Sequence, residues 1–370
     1  MKRALRIAIV ASNRYPIAQP FAGGLEAHVW HLTHSLVAAG HHVSLFAAPG
    51  SDPELDCTRL SVHELTLTRT AAHDESMPHA TFMADHHAYL ALMLDLARCP
   101  ERFDVIHNHS LHYLPVALAP TVDAPMLVSL HTPPTPWLES AIAAGGGTSA
   151  RFAAVSRHTA RTWSSVLADV DVVPNGIATD QWPLGSGGDG LVWFGRLTAE
   201  KGPHLAIEAA RKAGRRLVLA GPRSDRDFFD DAIAPRLSET VTYAGHLSQR
   251  ELAGLVGAAS AALVTPVWDE PYGLVVAEAL ACGTPVVAFA RGGIPELVDD
   301  RCGRLIAAGD TSAMAAAVAD AEAISRMDVR RCAEQRCSEQ AMLLRYDAMY
   351  TQMIERHERR AALTARTSSD

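Results

Sequence analysis

Apolar and polar positions along this chain fall into two alternating rhythms. Leu5-Arg6-Ile7-Ala8-Ile9-Val10-Ala11 is a nearly unbroken apolar run, as a strand buried on both faces requires. A loop rich in Pro and Gly follows over residues 12–24. Leu25, Val29, Leu32, Leu36 and Val37 then recur at helical spacing until Gly40 stops the helix, and residues 43–48 form the next apolar run. Strand, glycine loop, helix, strand is the βαβ unit of a parallel sheet with helices on both faces. Further strands are predicted at 62–67, 105–107, 126–130, 152–155 and 170–173, with a long helix over 80–98 and a helix after Val155 that Ser156 would cap. Pro174-Asn175-Gly176 is a turn signal.

Residues 183–190, Pro-Leu-Gly-Ser-Gly-Gly-Asp-Gly, have the composition of a flexible linker, and the rhythm restarts after them. Strands are predicted at 191–194, 216–220, 241–244, 261–265 and 285–289, with a helix over 203–213 and helical runs between the later strands. Two α/β domains follow, 1–178 and 190–340, joined near 177–190. A last helical pattern over 333–364, rich in Arg and Glu, has no strand after it. The segment 341–370 is therefore expected to pack back onto the first domain, with 364–370 as a disordered tail.

Bulk properties narrow the function classes. A 370-residue chain with 48% hydrophobic and 20% charged residues can bury two sizeable cores. A net charge of −8 argues against a nucleic-acid partner. Cys57, Cys99, Cys282, Cys302, Cys332 and Cys337 show no C-x-x-C pair, so they read as reduced thiols. The short apolar run after Met1-Lys2-Arg3 lacks the features of a signal peptide, and no run approaches the length of a membrane span. A cytoplasmic protein is expected, a placement compatible with peripheral membrane contact.

Candidate chemistry concentrates at strand ends. Trp268-Asp269-Glu270-Pro271-Tyr272-Gly273 joins one apolar run to a helix-like run beginning at Leu274, with Glu278 about one turn inside it. Gly273 permits close approach of a ligand to the backbone, and the first-turn N–H groups suit an anion. The same acidic turn could merely complement the helix dipole. Gly195-Arg196-Leu197 and Glu200-Lys201-Gly202 place an Arg and a Lys in a loop after a strand, a pincer for a diphosphate or two solvated cations. Gly23-Gly24, followed by Glu26, opens the first helix where backbone N–H groups could meet a ligand; it is not the G-x-G-x-x-G fingerprint of a nicotinamide dehydrogenase. Gly245 and His246 end a strand where backbone groups could hold a nucleobase. His107-Asn108-His109 is an H-x-H at a strand end, which keeps a metal-dependent hydrolase open as a rival reading. His131 follows another strand directly, as a hydrogen-bonding group facing a crevice or as a structural histidine.

Taken together these motifs resemble the family 4 retaining glycosyltransferases, which have the GT-B fold of two facing Rossmann-like domains around a deep cleft. The most specific element is the E-x7-E pair, Glu270 and Glu278, with Gly23-Gly24, Gly195-Arg196-Leu197, Lys201-Gly202, residues 241–245, Pro174-Asn175-Gly176 and Gly283-Thr284-Pro285-Val286-Val287 around it. The resemblance implies an acceptor-binding first domain and a donor-binding second domain. It casts Arg196 and Lys201 on the donor diphosphate, Glu278 on the ribose, and Glu270 near the transferred sugar. Gly273, Leu274 and Tyr272 sit where the family's helix-start loop meets the distal phosphate and sugar, and Gly24, Gly195, Gly245 and His246 complete the donor side. His131 resembles the histidine near the acceptor and the anomeric carbon, with Gly23, Glu26 and His109 beside it. No metal or further cofactor is implied. The donor would be a nucleotide sugar, UDP-linked in the first instance with GDP, ADP and dTDP as alternatives, and the acceptor a sugar, lipid-linked or small-molecule hydroxyl. A nucleotide-sugar epimerase of the same fold is the nearest other enzyme class. The His-rich segment 73–87 matches nothing in the family pattern and is assigned to acceptor recognition.

Overall fold

A computed structural model describes residues 3–74, 76–145 and 149–367. Its first sheet comprises β1 (Arg6–Val10), β2 (His42–Phe46), β3 (Thr58–Arg59), β4 (Val105–Asn108), β5 (Met126–Leu130), β6 (Arg151–Ala154) and β7 (Asp171–Val172), in the order β3-β2-β1-β4-β5-β6-β7. The second comprises β8 (Leu191–Phe194), β9 (Leu217–Ala220), β10 (Val241–Tyr243), β11 (Ala261–Val264), β12 (Val286–Phe289) and β13 (Gly303–Ile306), in the order β10-β9-β8-β11-β12-β13. Every pairing is parallel. Strand order reverses between β1 and β4 in one sheet and between β8 and β11 in the other. At such a switch point the connecting loops diverge and leave a crevice beyond the carboxyl ends of the strands.

Helices cover both faces of each sheet. In the first half these are α1 (Gly24–Ala38), α2 (Ala80–Arg98), α3 (Tyr113–Ala117), α4 (Pro136–Ala144) and α5 (Arg157–Thr162). The second half has α6 (Pro203–Lys212), the single turn α7 (Arg226–Phe228), α8 (Gln249–Gly257), α9 (Leu274–Ala281), α10 (Thr311–Glu322), α11 (Arg326–Arg336) and α12 (Glu339–Thr367). Ser156 caps α5 by accepting from the Thr159 amide, as its position predicts. No helix among the described residues is long and apolar enough to cross a membrane.

Several sequence readings need correction. Residues 62–67 form no strand: the sheet edge is β3, paired with Ser44 and Leu45, and the chain then leaves the sheet with Leu67 45% exposed. β13 was not expected, because Gly303 opens it and Arg304 interrupts its apolar pattern. The pattern over 333–364 is two helices, α11 and α12, broken at Cys337-Ser338, where the Cys337 carbonyl accepts from the Ile177 amide at 2.7 Å. α12 also runs as helix through Thr364 to Thr367, and 368–370 lie outside the described residues.

The glycine-rich segment 183–190 is packed rather than free. The Gly187 amide donates to the Gly257 carbonyl at 2.9 Å, and a Cβ built on Gly185 would sit 2.1 Å from that same oxygen. The Arg326 guanidinium on α11 donates to the carbonyls of Gly185, Gly257, Ala259 and Cys282, tying the crossover to the second domain. α12 belongs to the first. Its Met342, Tyr346, Met349, Tyr350, Met353 and Ile354 join Ile7, Ile9, Val29 and Leu32 in one buried cluster. Burying each such side chain contributes about 1.5–3 kcal/mol, so six of them anchor the helix firmly.

Candidate active site

A cavity of about 380 Å³ lies between the carboxyl ends of the two sheets and draws its walls from both domains. On the second-domain side, the loop after β8 carries Gly195 at φ +144°, where a side chain would be strained, so the chain can turn directly into Arg196. Gly202 at φ +68° packs so closely on β11 that a Cβ would lie 2.0 Å from the Thr265 carbonyl oxygen, which places Lys201 beside the loop after β11. The two cations have carboxylate partners. Arg196 meets Glu200 at 2.8 Å, and the Lys201 Nζ donates to Glu270 at 2.5 Å. The Trp268 Nε1–H also donates to Glu270, at 3.1 Å, while the Lys201 ammonium stands 4.9 Å over the Trp268 ring.

α9 begins at Gly273, whose φ of +97° only glycine adopts without strain. Leu274 and Val275 line the cavity; the Val276 amide turns back to the Gly273 carbonyl at 2.9 Å, so the two amides before it are the donors that the helix end offers, with its positive dipole. Glu278, on the next turn, also lines the cavity. Burial pushes its carboxyl up to about 8, and no side-chain hydrogen bond holds it among the described residues. Tyr272 lines the cavity too, and its hydroxyl donates to the Asn175 carbonyl at 2.6 Å. Gly245 lies at φ +92° with open space around it, and His246 reaches across to the Phe21 carbonyl at 3.0 Å.

The first-domain wall is made by the loop after β1 and the ends of β4 and β5. A Cβ on Gly24 would come within 2.9 Å of the Leu274 side chain, so this loop touches the start of α9 across the cleft. Gly23 is extended, and an added Cβ would approach Glu26. Glu26 is buried, which raises its carboxyl; its own backbone amide and the charges of Arg196 and Arg14 oppose that rise. His131 follows β5 and lines the cavity, and burial lowers it to about 4, so the ring is neutral. His131 Nε2 and His109 Nδ1 share a hydrogen bond of 2.9 Å, and the His28 ring stands 5.1 Å from that of His131.

His107 does not pair with His109 as a metal-ligand set. Its Nδ1 bonds the Tyr350 hydroxyl at 2.7 Å and its Nε2 the Ser129 hydroxyl at 2.8 Å, so both nitrogens are occupied. The trio His28, His109 and His131 offers nitrogens within 4.8 Å of one another, close enough for one ion. All three are driven neutral by burial, with neighbouring imidazoles adding to the effect at His28 and His109, and the free Nε2 atoms of His28 and His109 remain without a protein partner.

Arg14 and Tyr15, in the loop after β1, line the wall and were not singled out from sequence, and the pairings of Trp268 with Lys201 and of Glu200 with Arg196 were not foreseen. Glu296 was also missed. Its carboxylate accepts from the Arg157 and His158 amides at 3.0 and 2.7 Å, capping a first-domain helix from the second domain. The acidic residue stands 138 positions away from the amide it caps, so no local motif marks it.

Comparison with known proteins agrees along most of the chain. The family described as Glycosyltransferase Family 4 matches residues 22–181, and the one described as Glycosyl transferases group 1 matches residues 180–338. Glycogen synthase of Mycobacterium tuberculosis is 31% identical over 365 residues, covering 85% of this chain and 85% of that protein. D-inositol 3-phosphate glycosyltransferase of Frankia alni is 30% identical, covering 80% and 85%. Among solved structures, sucrose-phosphate synthase of Thermosynechococcus elongatus superposes with a TM-score of 0.76 at 20% identity, over 95% of this chain and 99% of that one. Anabaena HepE in complex with UDP-glucose gives 0.74 at 16% identity, over 94% and 100%. These solved structures share its fold.

Proposed function

This chain is a glycosyltransferase of family 4 with the two-domain GT-B fold, and from that premise we propose that it moves a hexose-type sugar from a nucleoside-diphosphate sugar to a hydroxyl acceptor, with retention and without a metal ion. One observation carries the reading: Arg196, Lys201, the start of α9 and Glu278 converge on one cavity, with the Gly24 loop and a neutral His131 across it. Cations and helix N–H groups suit a diphosphate, and a free carboxyl suits ribose hydroxyls. The first domain would take the acceptor and the second the donor.

In the transfer, the acceptor oxygen bonds to the anomeric carbon on the face from which the diphosphate departs. The bond from that carbon to the phosphate oxygen breaks, its electron pair staying on the diphosphate, and the hydroxyl proton passes to a leaving phosphate oxygen. Arg196, Lys201 and the α9 dipole hold the charge that develops there, which is the part a metal would otherwise play. Lys201 is oriented by Glu270 and Trp268. Neutral His131 can donate or accept a hydrogen bond beside the reacting carbon, and closure over Gly24 keeps water from competing.

The test is direct. UDP-, GDP-, ADP- and dTDP-sugars are screened for thermal stabilisation, where a ligand at a hundred times its Kd adds about 2.7 kcal/mol to the folded state. UDP-sugars are expected to give the largest shift. Arg196→Ala and Lys201→Ala should each cut turnover at least about tenfold, since a charge-assisted bond is worth roughly 1.5–3 kcal/mol. Wild-type turnover in both variants, or its abolition by EDTA, would overturn the mechanism.

A further inference from the structure

The His-rich helix that the donor chemistry leaves unused builds a second feature. α2 brings Phe82 and His86 against Tyr113 of α3 and Trp137 of α4, with Phe82 and Tyr113 each 5.6 Å from the Trp137 ring and edge-on to it. Of the six tryptophans, Trp137 is the one exposed among the described residues, at 39%. Glu75, within the same His-rich segment, lies outside the described residues.

The patch is joined to the wall of the main cavity along the chain. Leu111 and Thr132 line that cavity, and the chain runs from them through His112 and residues 133–136 into the patch. α2 is fastened to the cavity rim as well: the Tyr89 hydroxyl takes the Asn13 amide and donates to the Ala11 carbonyl, both at 2.9 Å.

His112 adds a polar handle. Its ring is buried, stacked 4.5 Å from Tyr89 and standing 4.9 Å from Trp137. Nδ1 accepts from the Leu114 amide, and burial lowers the group to about 4, so the proton of the neutral ring sits on Nε2. That Nε2–H has no protein partner. An unpaired donor buried beside the exposed Trp137 ring is costly unless a polar partner completes it.

We propose that Trp137, with Phe82, Tyr113 and His112, forms a subsite for a sugar ring of a neutral saccharide acceptor, an assignment that rests on the glycosyl-transfer reading above. A pyranose presents one apolar C–H face and a rim of hydroxyls. The face packs on an aromatic plane and the rim finds ring N–H and phenol groups beside it. Charge argues the same way. Arg14 is the one Lys or Arg that the first domain contributes to the cavity wall among the described residues, and it shares that wall with buried Glu26. A phosphorylated acceptor would call for a cluster of cations.

The experiment uses the full chain with the nucleotide sugar that stabilises it most. Glucose, maltose and maltotetraose are offered as acceptors in parallel with glucose 1-phosphate and inositol 1-phosphate, and products are read by mass spectrometry. Transfer to the neutral sugars is expected, with the acceptor KM falling from mono- to tetrasaccharide. Trp137→Ala should raise the acceptor KM about tenfold, a loss in the range of one aromatic stacking contact, and Trp137→Phe should recover most of it. The donor-induced rise in melting temperature serves as the control for folding and for the donor site. Transfer confined to the phosphorylated acceptors, absence of product on any neutral sugar, or an unchanged acceptor KM in Trp137→Ala overturns the subsite. Failure of every nucleotide sugar to stabilise the wild type overturns the glycosyl-transfer reading instead.

Discussion

At the scale of single residues, Glu278 is held between two opposing influences. Burial raises its carboxyl from the ordinary 4.5 to about 8, whereas hydrogen bonds from donor hydroxyls would favour the carboxylate. The native state therefore keeps a proton that the unfolded chain releases, and stability contributed by this group declines as pH rises from about 4.5 to about 8. Glu278→Gln should remove that decline, seen as a flatter melting temperature across this range. Donor binding should in turn release a proton, so affinity climbs with pH by at most about tenfold per unit until the group is already ionised. Calorimetry in buffers of differing ionisation enthalpy reads this directly, and binding with no proton exchange would exclude contact between Glu278 and the donor. Glu270, Glu278, Arg196, Lys201 and Gly273 were legible in the sequence because each sits at a fixed offset from a strand end or helix start. The Lys201–Glu270 pair and the imidazole trio were not, since their members come from separate elements that only the tertiary fold brings together.

Among the elements, the start of α9 and the middle of α8 show how differently two glycines behave. An alanine methyl at Gly273 would sit 3.3 Å from Ile294 on a backbone at φ +97°. Gly273→Ala should cost about 1–2 kcal/mol in urea unfolding and weaken donor-induced stabilisation with it, because the N–H groups of the first turn would be re-aimed. Gly254, inside α8 with open space around it, has no such constraint. Gly254→Ala should gain about 0.5–1 kcal/mol and leave the donor response unchanged. The strands of strong apolar runs, β1, β5, β8 and β12, were readable to within a residue or so. Residues 62–67 were misread because apolar content says nothing about whether a neighbouring strand is there to pair with. The α11–α12 break was invisible because it is imposed by the first domain, through Ile177 on Cys337 and Gly176 against Glu339, and not by a local breaker.

For the molecule as a whole, the loop that carries Glu270 is also the seam between the halves. Pro271 accepts from the Ser156 and Thr159 hydroxyls, Tyr272 holds the Asn175 carbonyl, Leu274 meets Gly24, and Glu296 caps α5 from across the cleft. Glu296→Ala should cost about 1 kcal/mol as a lost cap and should raise the share of donor lost to water relative to sugar transferred. Partition of product between free sugar and glycosylated acceptor measures it, and an unchanged ratio would separate the cap from closure. Two domains with a cleft could be read from the restart of the βα rhythm, whereas this seam could not. α12 reaches further still. The core around β1 and α1 stays open until Met342, Tyr346 and Tyr350 arrive, although that half is the first to leave the ribosome. During synthesis the later-made sheet can finish first, and the earlier half must wait, with Ile7, Ile9 and Leu32 uncovered, for a helix translated more than three hundred codons afterwards.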